Sequence, residues 1–276
     1  MPYLQVGTEN NNPIEIYYED QGEGRPVVLI HGFPFDNGAW ERQRKVLLDA
    51  GYRTILYDRR GFGKSSQPVN GYDYDTFVAD LDVLMQKLDL HDVTLVGHSM
   101  GTGEVTHYIG TYGSERIRSA VLVSPLQPFL LKTDDNPEGV DASVFEGIKD
   151  AIKKDRYVYY TQFLHDFFNL DENLGTLVSQ EAVTNSWNIA THSSPIATYE
   201  SVDQWHRDFR EDVAKNDVPT LVIQGDQDRI LPYPATGERL GALIKDVKVV
   251  VIPGAPHGIP WSHAEDVNRE LLAFLK

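Results

Sequence analysis

The chain has 276 residues, 41% hydrophobic and 24% charged, the proportions of a globular enzyme rather than a disordered or fibrous chain. A net charge of −16 argues against nucleic acid or an anionic membrane surface as partner, and the lack of cysteine removes disulfides, thiolate nucleophiles and Cys-ligated metals. The N-terminus carries no basic patch ahead of an apolar core, and no apolar run approaches the ~20 residues of a membrane span, so a soluble cytoplasmic protein is expected.

Tyr3 to Val6 and Ile14 to Tyr18 read as two short strands around the turn-rich Asn10-Asn11-Asn12-Pro13, forming an antiparallel hairpin at a sheet edge. Val27 to Ile30 is an apolar strand, followed by His31-Gly32-Phe33-Pro34. Trp40 to Leu48 predicts a helix and Thr54 to Tyr57 a strand, with Asp58 to Ser66 as its exit loop. Asp75 opens a helix with Phe77, Leu81, Leu84, Met85 and Leu88 on one face. Val93 to Val96 is a buried strand; it breaks at a glycine, and a helical pattern runs from about Glu104 to Tyr112. Val121 to Val123 is the core of the next strand. From Ser124 to about Lys215 strand signals fade and aromatics recur at helical spacing, among them Tyr157, Tyr160, Phe163, Phe167, Phe168, Trp187, Trp205 and Phe209. Alternation then resumes, with a strand at Thr220 to Ile223, a helix at Thr236 to Leu243, a strand at Val247 to Ile252 and a helix at Ala264 to Leu275. Repeated βαβ units imply an α/β fold with a mostly parallel eight-stranded sheet and helices on both faces. Residues 1–123 and 216–276 are expected to form the core, and 124–215 an inserted helical lid.

Between the Val93 strand and the helix that follows stands Gly97-His98-Ser99-Met100-Gly101, a Gly-x-Ser-x-Gly turn that presents one serine, the nucleophile elbow. A serine hydroxyl needs a base to take its proton and an acid to fix that base. Both belong after strands at the carboxyl edge of the sheet. The last strand is followed by Pro253-Gly254-Ala255-Pro256-His257-Gly258, which makes His257 the candidate base. Asp226 and Asp228 compete as the acid after the Thr220 strand; the longer loop at Asp228 favours it, while Asp226 could cap the turn. A tetrahedral intermediate needs two N–H donors, one from Met100 at the helix start and one from Phe33 in the loop after the Val27 strand. His31 is read as a brace for that loop and His98 as a packing residue. Gly63-Lys64-Ser65 resembles a P-loop tail, but position 58 is aspartate where the loop needs glycine. No metal-binding cluster such as His-Glu-x-x-His occurs, so neither metal nor cofactor is expected.

Further motifs run from end to end: Tyr17-Tyr18-Glu19-Asp20, Leu29-Ile30-His31-Gly32-Phe33-Pro34, Tyr57-Asp58-Arg59-Arg60-Gly61-Phe62-Gly63, Asp134-Asp135-Asn136-Pro137, Asn169-Leu170-Asp171-Glu172-Asn173 and Gly254-Ala255-Pro256-His257-Gly258. On these the chain resembles the cofactor-free bacterial haloperoxidases, or perhydrolases, of the α/β-hydrolase fold, a group that includes aryl esterases and a γ-lactamase-like branch. The resemblance implies Ser99 as nucleophile, Asp228 as acid, His257 as base, and Phe33 and Met100 as oxyanion donors. Phe33, Pro34 and Trp261 are expected at the substrate, and Pro34 matches the proline that the group associates with peracid formation. His98 departs from the pattern, where phenylalanine is usual. The implied activity is acyl transfer from small esters or carboxylic acids to water or hydrogen peroxide, in a homo-oligomer of three or more copies. An amidase or lactamase using the same triad is the alternative, and a non-catalytic ligand-binding protein the more distant one.

Overall fold

The structure, a computed structural model, describes residues 3–276. Met1 and Pro2, at the start of the expected core, lie outside the described residues. The chain begins with a hairpin of β1 (Tyr3–Glu9) and β2 (Asn12–Gln21), longer at both ends than the alternation alone indicates. Then come β3 (Pro26–Ile30), α1 (Glu41–Asp49), β4 (Arg53–Tyr57), α2 (Tyr74–Lys87), β5 (Val93–His98), α3 (Met100–Tyr112) and β6 (Ile117–Val123). Five helices follow: α4 (Ala142–Phe168), α5 (Leu170–Asn173), α6 (Gln180–Thr191), α7 (Pro195–Trp205) and α8 (Arg210–Ala214). The chain closes with β7 (Thr220–Gly225), α9 (Gly237–Leu243), β8 (Val247–Ile252), α10 (Ile259–Ser262) and α11 (Ala264–Leu275).

The eight strands lie in the order β1-β2-β4-β3-β5-β6-β7-β8. β2 runs antiparallel to β1 and β4, and the other neighbours are parallel. Side chains alternate across a strand, so one continuous apolar run feeds both faces. Val28 and Ile30 of β3 join Leu95, Leu122 and Val222 in a cluster that α2, α3 and the helical insertion complete. Val27 and Leu29 join Val96, Val121, Leu221 and Ile223 in a second cluster on the face covered by α1 and α11.

Element boundaries near the site differ from expectation. β5 continues through Gly97 and His98, which pair with Leu122 and Val123, and α3 starts at Met100 rather than near Glu104. Strand and helix therefore meet at Ser99 with no other residue between them. α2 starts at Tyr74 because the Asp73 carboxylate accepts the Thr76 N–H (2.8 Å) as an N-cap.

Between β6 and β7 the chain is helical and adds no strand to the sheet among the described residues. We refer to this insertion as the lid. Its longest helix, α4, is interrupted at Asp155, which takes extended angles (φ −165°, ψ 98°). The Asp155 carboxylate then accepts the N–H groups of Tyr157 and Val158 (3.0 and 3.2 Å), capping the second half of the helix. Of the lid aromatics, Tyr160, Phe163, Phe167, Phe168 and Phe209 are buried, while Tyr157 faces out. No helix among the described residues is long and apolar enough to cross a membrane.

Candidate active site

Ser99 sits where β5 becomes α3, with φ 53° and ψ −122°, a conformation costly for any residue with a side chain. The flanking glycines make the turn possible. A Cβ on Gly97 would lie 2.5 Å from the Gly101 carbonyl oxygen, and one on Gly101 would lie 2.4 Å from that of Ile30. The Tyr74 hydroxyl donates to the Met100 carbonyl (2.9 Å) and holds the first turn of α3.

The chain brings Asp228 and His257 together beyond the ends of β7 and β8. Asp228 Oδ2 accepts the His257 Nδ1–H at 2.8 Å, with both side chains fully buried. Its Oδ1 accepts the N–H groups of Ile230 and Leu231 (3.0 and 2.8 Å), so the loop folds around the carboxylate. Gln224 Nε2 donates to Asp228 Oδ2 (3.3 Å) and to the Leu231 carbonyl (2.6 Å). Asp226 instead accepts the Gly254 N–H (2.7 Å) and staples the turn after β8. Of the two aspartates, Asp228 meets His257 and Asp226 meets the turn after β8. His257 Nε2 is buried and has no partner among the described residues. The His257 carbonyl accepts two donors, His98 Nε2–H and Ser124 Oγ–H, both at 3.1 Å. Burial, with His257 adding to it, pushes His98 down to about 3. His98 is therefore a neutral donor, which packing alone did not reveal.

Phe33 and Met100 both border the cavity beside Ser99, and neither backbone N–H has an acceptor among the described residues. The loop carrying Phe33 is braced through His31, whose Nε2 accepts the Arg59 N–H (3.0 Å) and whose carbonyl accepts Arg59 Nη2 (2.8 Å). Arg59 is itself buried against Glu104 of α3, so the loops after β3 and β4 and the helix after Ser99 form one knot. Burial and the Arg59 charge hold His31 well below its ordinary pKa, leaving it an uncharged acceptor.

The cavity in front of Ser99 measures about 430 Å³. Its walls are apolar: Val144, Phe145, Ile148, Phe163 and Trp205 from the lid, Ile230 and Leu231 from the acid loop, and the Phe33 ring. Phe33 packs edge-on against Trp205 and Phe163, with ring centroids 4.8 and 5.7 Å apart. Exposed Gln162 and Arg229, with half-buried Asp166, mark the mouth.

Two expected substrate contacts fall elsewhere. Trp261 borders a separate crevice of about 40 Å³, with the Arg42 guanidinium 4.1 Å from its ring centre, because α10 carries the chain away from Ser99 after Gly258. Pro34 is buried in the turn closed by Phe35 N–H to the Gly32 carbonyl (3.1 Å); Phe33 reaches the cavity wall and Pro34 does not. Gln224 and Ser124 were missed. Each stands at the carboxyl end of a strand, the one position signal that could have found them.

The family model described as alpha/beta hydrolase fold matches residues 25–264. A Synechocystis sp. protein provisionally assigned as a non-heme chloroperoxidase is 58% identical over 276 residues, the whole of both chains. The bifunctional esterase/perhydrolase DCH of Acinetobacter calcoaceticus is 33% identical over 271 residues, covering 95% of this chain and 96% of its own. The crystal structure of a bromoperoxidase from Bacillus anthracis superposes with a TM-score of 0.95 at 45% identity, covering 99% of this chain and 98% of that one. With an eight-stranded sheet of this topology, a strained serine at the β5–α3 junction and relatives matched over their full length, the chain belongs to the α/β-hydrolase superfamily, in its non-heme haloperoxidase group.

Proposed function

We propose that this protein is a serine hydrolase acting by acyl transfer on neutral, apolar esters, with hydrogen peroxide as an alternative acyl acceptor. One observation carries the reading. The Asp228 carboxylate is bonded to buried His257 Nδ1 while Nε2 is left unpartnered, and the strained Ser99 borders an apolar cavity.

Ser99 Oγ attacks the ester carbonyl carbon as His257 Nε2 takes the hydroxyl proton. Asp228 keeps the proton on Nδ1 and stabilises the imidazolium that forms. The N–H groups of Phe33 and Met100 receive the negative charge on the former carbonyl oxygen. His257 then gives its proton to the departing alkoxide, leaving the acyl group on Ser99. Water attacking that acyl-enzyme, with His257 again as base, releases the carboxylic acid. Hydrogen peroxide attacking in the same way releases a peracid, and the peracid oxidises halide in solution to hypohalous acid while reverting to the carboxylic acid. The oxidising equivalents come from the peroxide. Pro34 acts on this partition by shaping the turn that carries the Phe33 N–H. The name of the Acinetobacter calcoaceticus relative, which joins esterase and perhydrolase, supports the double activity.

The test is Ser99→Ala. Hydrolysis of p-nitrophenyl acetate falls by about 10³-fold or more, the scale on which removal of a triad member acts. Bromination of a phenol dye supplied with bromide, acetate and hydrogen peroxide stops with it. A folded variant that keeps most of its hydrolysis overturns the reading.

A further inference from the structure

One short segment of the lid reaches both loops that carry the proposed acid and base. From Phe167 to Glu172 the chain leaves α4, turns at Asn169 in the left-handed region (φ 50°) and enters α5. The Phe167 carbonyl accepts the N–H of Gly258, next to His257 (2.8 Å), and the Phe167 ring stands edge-on to the His257 ring with centroids 5.2 Å apart. Asn169 Nδ2 donates to the carbonyl of Gln227, next to Asp228 (2.9 Å). The carboxylates of Asp171 and Glu172 hold the guanidinium of Arg229, on the other side of Asp228 (2.6 and 2.8 Å). One run of six residues therefore grips the acid loop on both sides of Asp228 and the base loop beside His257.

We propose that this segment is a latch and Asn169 a positioning residue: lid docking sets the Asp228–His257 hydrogen bond, so a lid that lifts also loosens the triad. The inference rests on the reading of Ser99, Asp228 and His257 as a triad. Asn169 is fully buried, and its Oδ1 has no partner among the described residues. A side chain serving only to fill space there would do better without a buried polar oxygen. The grip also lies where substrate passes, because Asp166 from the lid and Arg229 from the acid loop border the same cavity as Ser99. Its outer part is half-exposed and open to ionic screening, whereas the Phe167 and Asn169 contacts are buried. The latch thus has a firm inner hinge and a releasable outer clasp.

The test compares Asn169→Gly, Asn169→Asp and Arg229→Gln with the native chain and with Ser99→Ala, on a neutral ester. Glycine keeps the left-handed turn and removes the donor; aspartate keeps the shape and sets an oxygen against the Gln227 carbonyl. In both, kcat falls about tenfold or more with KM little changed, the signature of a misplaced catalytic group. The acid limb of the kcat/KM profile moves to lower pH, because a carboxylate held less well stabilises the imidazolium less. Arg229→Gln, at an exposed position, moves the limb the same way by a smaller amount and guards against a failure of the Asn169 variants to fold. An unmoved limb in all three, whether kcat holds or falls with the amount of folded protein, overturns the latch. Full activity in Ser99→Ala overturns instead the triad reading beneath it.

Discussion

His98 Nε2–H donates to the backbone carbonyl of His257 (3.1 Å), so the residue before the proposed nucleophile holds the residue proposed as its base. Because burial keeps His98 neutral, this bond ties acid stability to one side chain. The folded value, about 3, lies below the ordinary 6.5, so the contribution is complete above about pH 6.5 and is lost as pH falls toward 3. Asp58 and Asp80, each pushed up to about 6 chiefly by burial, act in the opposite sense; their contribution is complete below 3.8 and lost as pH rises through about 6. The comparison that isolates His98 is therefore between variants. In His98→Gln the fall in Tm between pH 6.5 and 4 is shallower than in the native chain, as thermal denaturation over that range will measure. An equal slope would assign the acid sensitivity to other groups.

Gly101→Ala tests the elbow without touching a polar group. The added methyl would sit 2.4 Å from the Ile30 carbonyl oxygen and 2.9 Å from that of His31, both backbone atoms that cannot rotate away. α3 and the loop after β3 must separate, at a cost of about 3 kcal/mol or more, in the upper range for single substitutions. Chemical denaturation gives the stability, and labelling of Ser99 by a fluorophosphonate probe reports the displaced serine. Native stability with native labelling would contradict the close packing that explains the glycine.

These two residues also show what the sequence could and could not disclose. Gly97 and Gly101 flank one serine after a run of Val and Leu, and that local spacing was enough to locate the elbow. The strand alternations were equally local, which is why all eight strands were legible and only their ends moved. The order β1-β2-β4-β3-β5-β6-β7-β8 was not, because it depends on which crossovers pass over which face. Among the candidate site residues, His257 and Asp228 were singled out because each follows a strand; what the sequence did not disclose is that Asp228 meets His257 while the Asp226 carboxylate accepts the Gly254 N–H. Trp261 borders a different crevice from Ser99, because a position four residues past His257 says nothing of the direction the chain takes after Gly258. Asn169 and Asp171 reach Gln227 and Arg229, on either side of Asp228, across 58 residues of sequence, a separation no periodicity reaches.

Glu104→Gln probes the knot behind the loop carrying Phe33. Arg59 and Glu104 are buried as a pair, and Tyr57 also donates its hydroxyl to the Glu104 carboxylate. Removing the negative charge leaves Arg59 buried without a counter-ion, for which about 3–5 kcal/mol is the usual loss. Because Arg59 also holds the His31 carbonyl, the loss extends to the loop carrying Phe33. Urea denaturation should give a midpoint well below that of the native chain with an unchanged slope. A midpoint within experimental scatter would mean that the knot rests on packing rather than on charge.

The cavity makes the sharpest statement about specificity. Its walls are mostly hydrocarbon, and Arg229, the one cationic lining residue among the described residues, is engaged by Asp171 and Glu172. Asp166 adds a further carboxylate at the mouth of a chain whose net charge is already −16. An anionic ester would lose its hydration there and gain no cation in exchange. Methyl hexanoate should therefore exceed monomethyl adipate, of similar length but ending in a carboxylate, by about 100-fold in kcat/KM, the equivalent of about 2.7 kcal/mol. Raising the ionic strength should narrow the gap by screening the mouth, while leaving most of it, because the buried walls are not screened. Ile148→Trp should lower kcat/KM for the hexanoate far more than for the acetate, since the larger ring takes up volume that only a long acyl chain uses. A variant that slows both esters equally would show that Ile148 lines the cavity without bounding the acyl group.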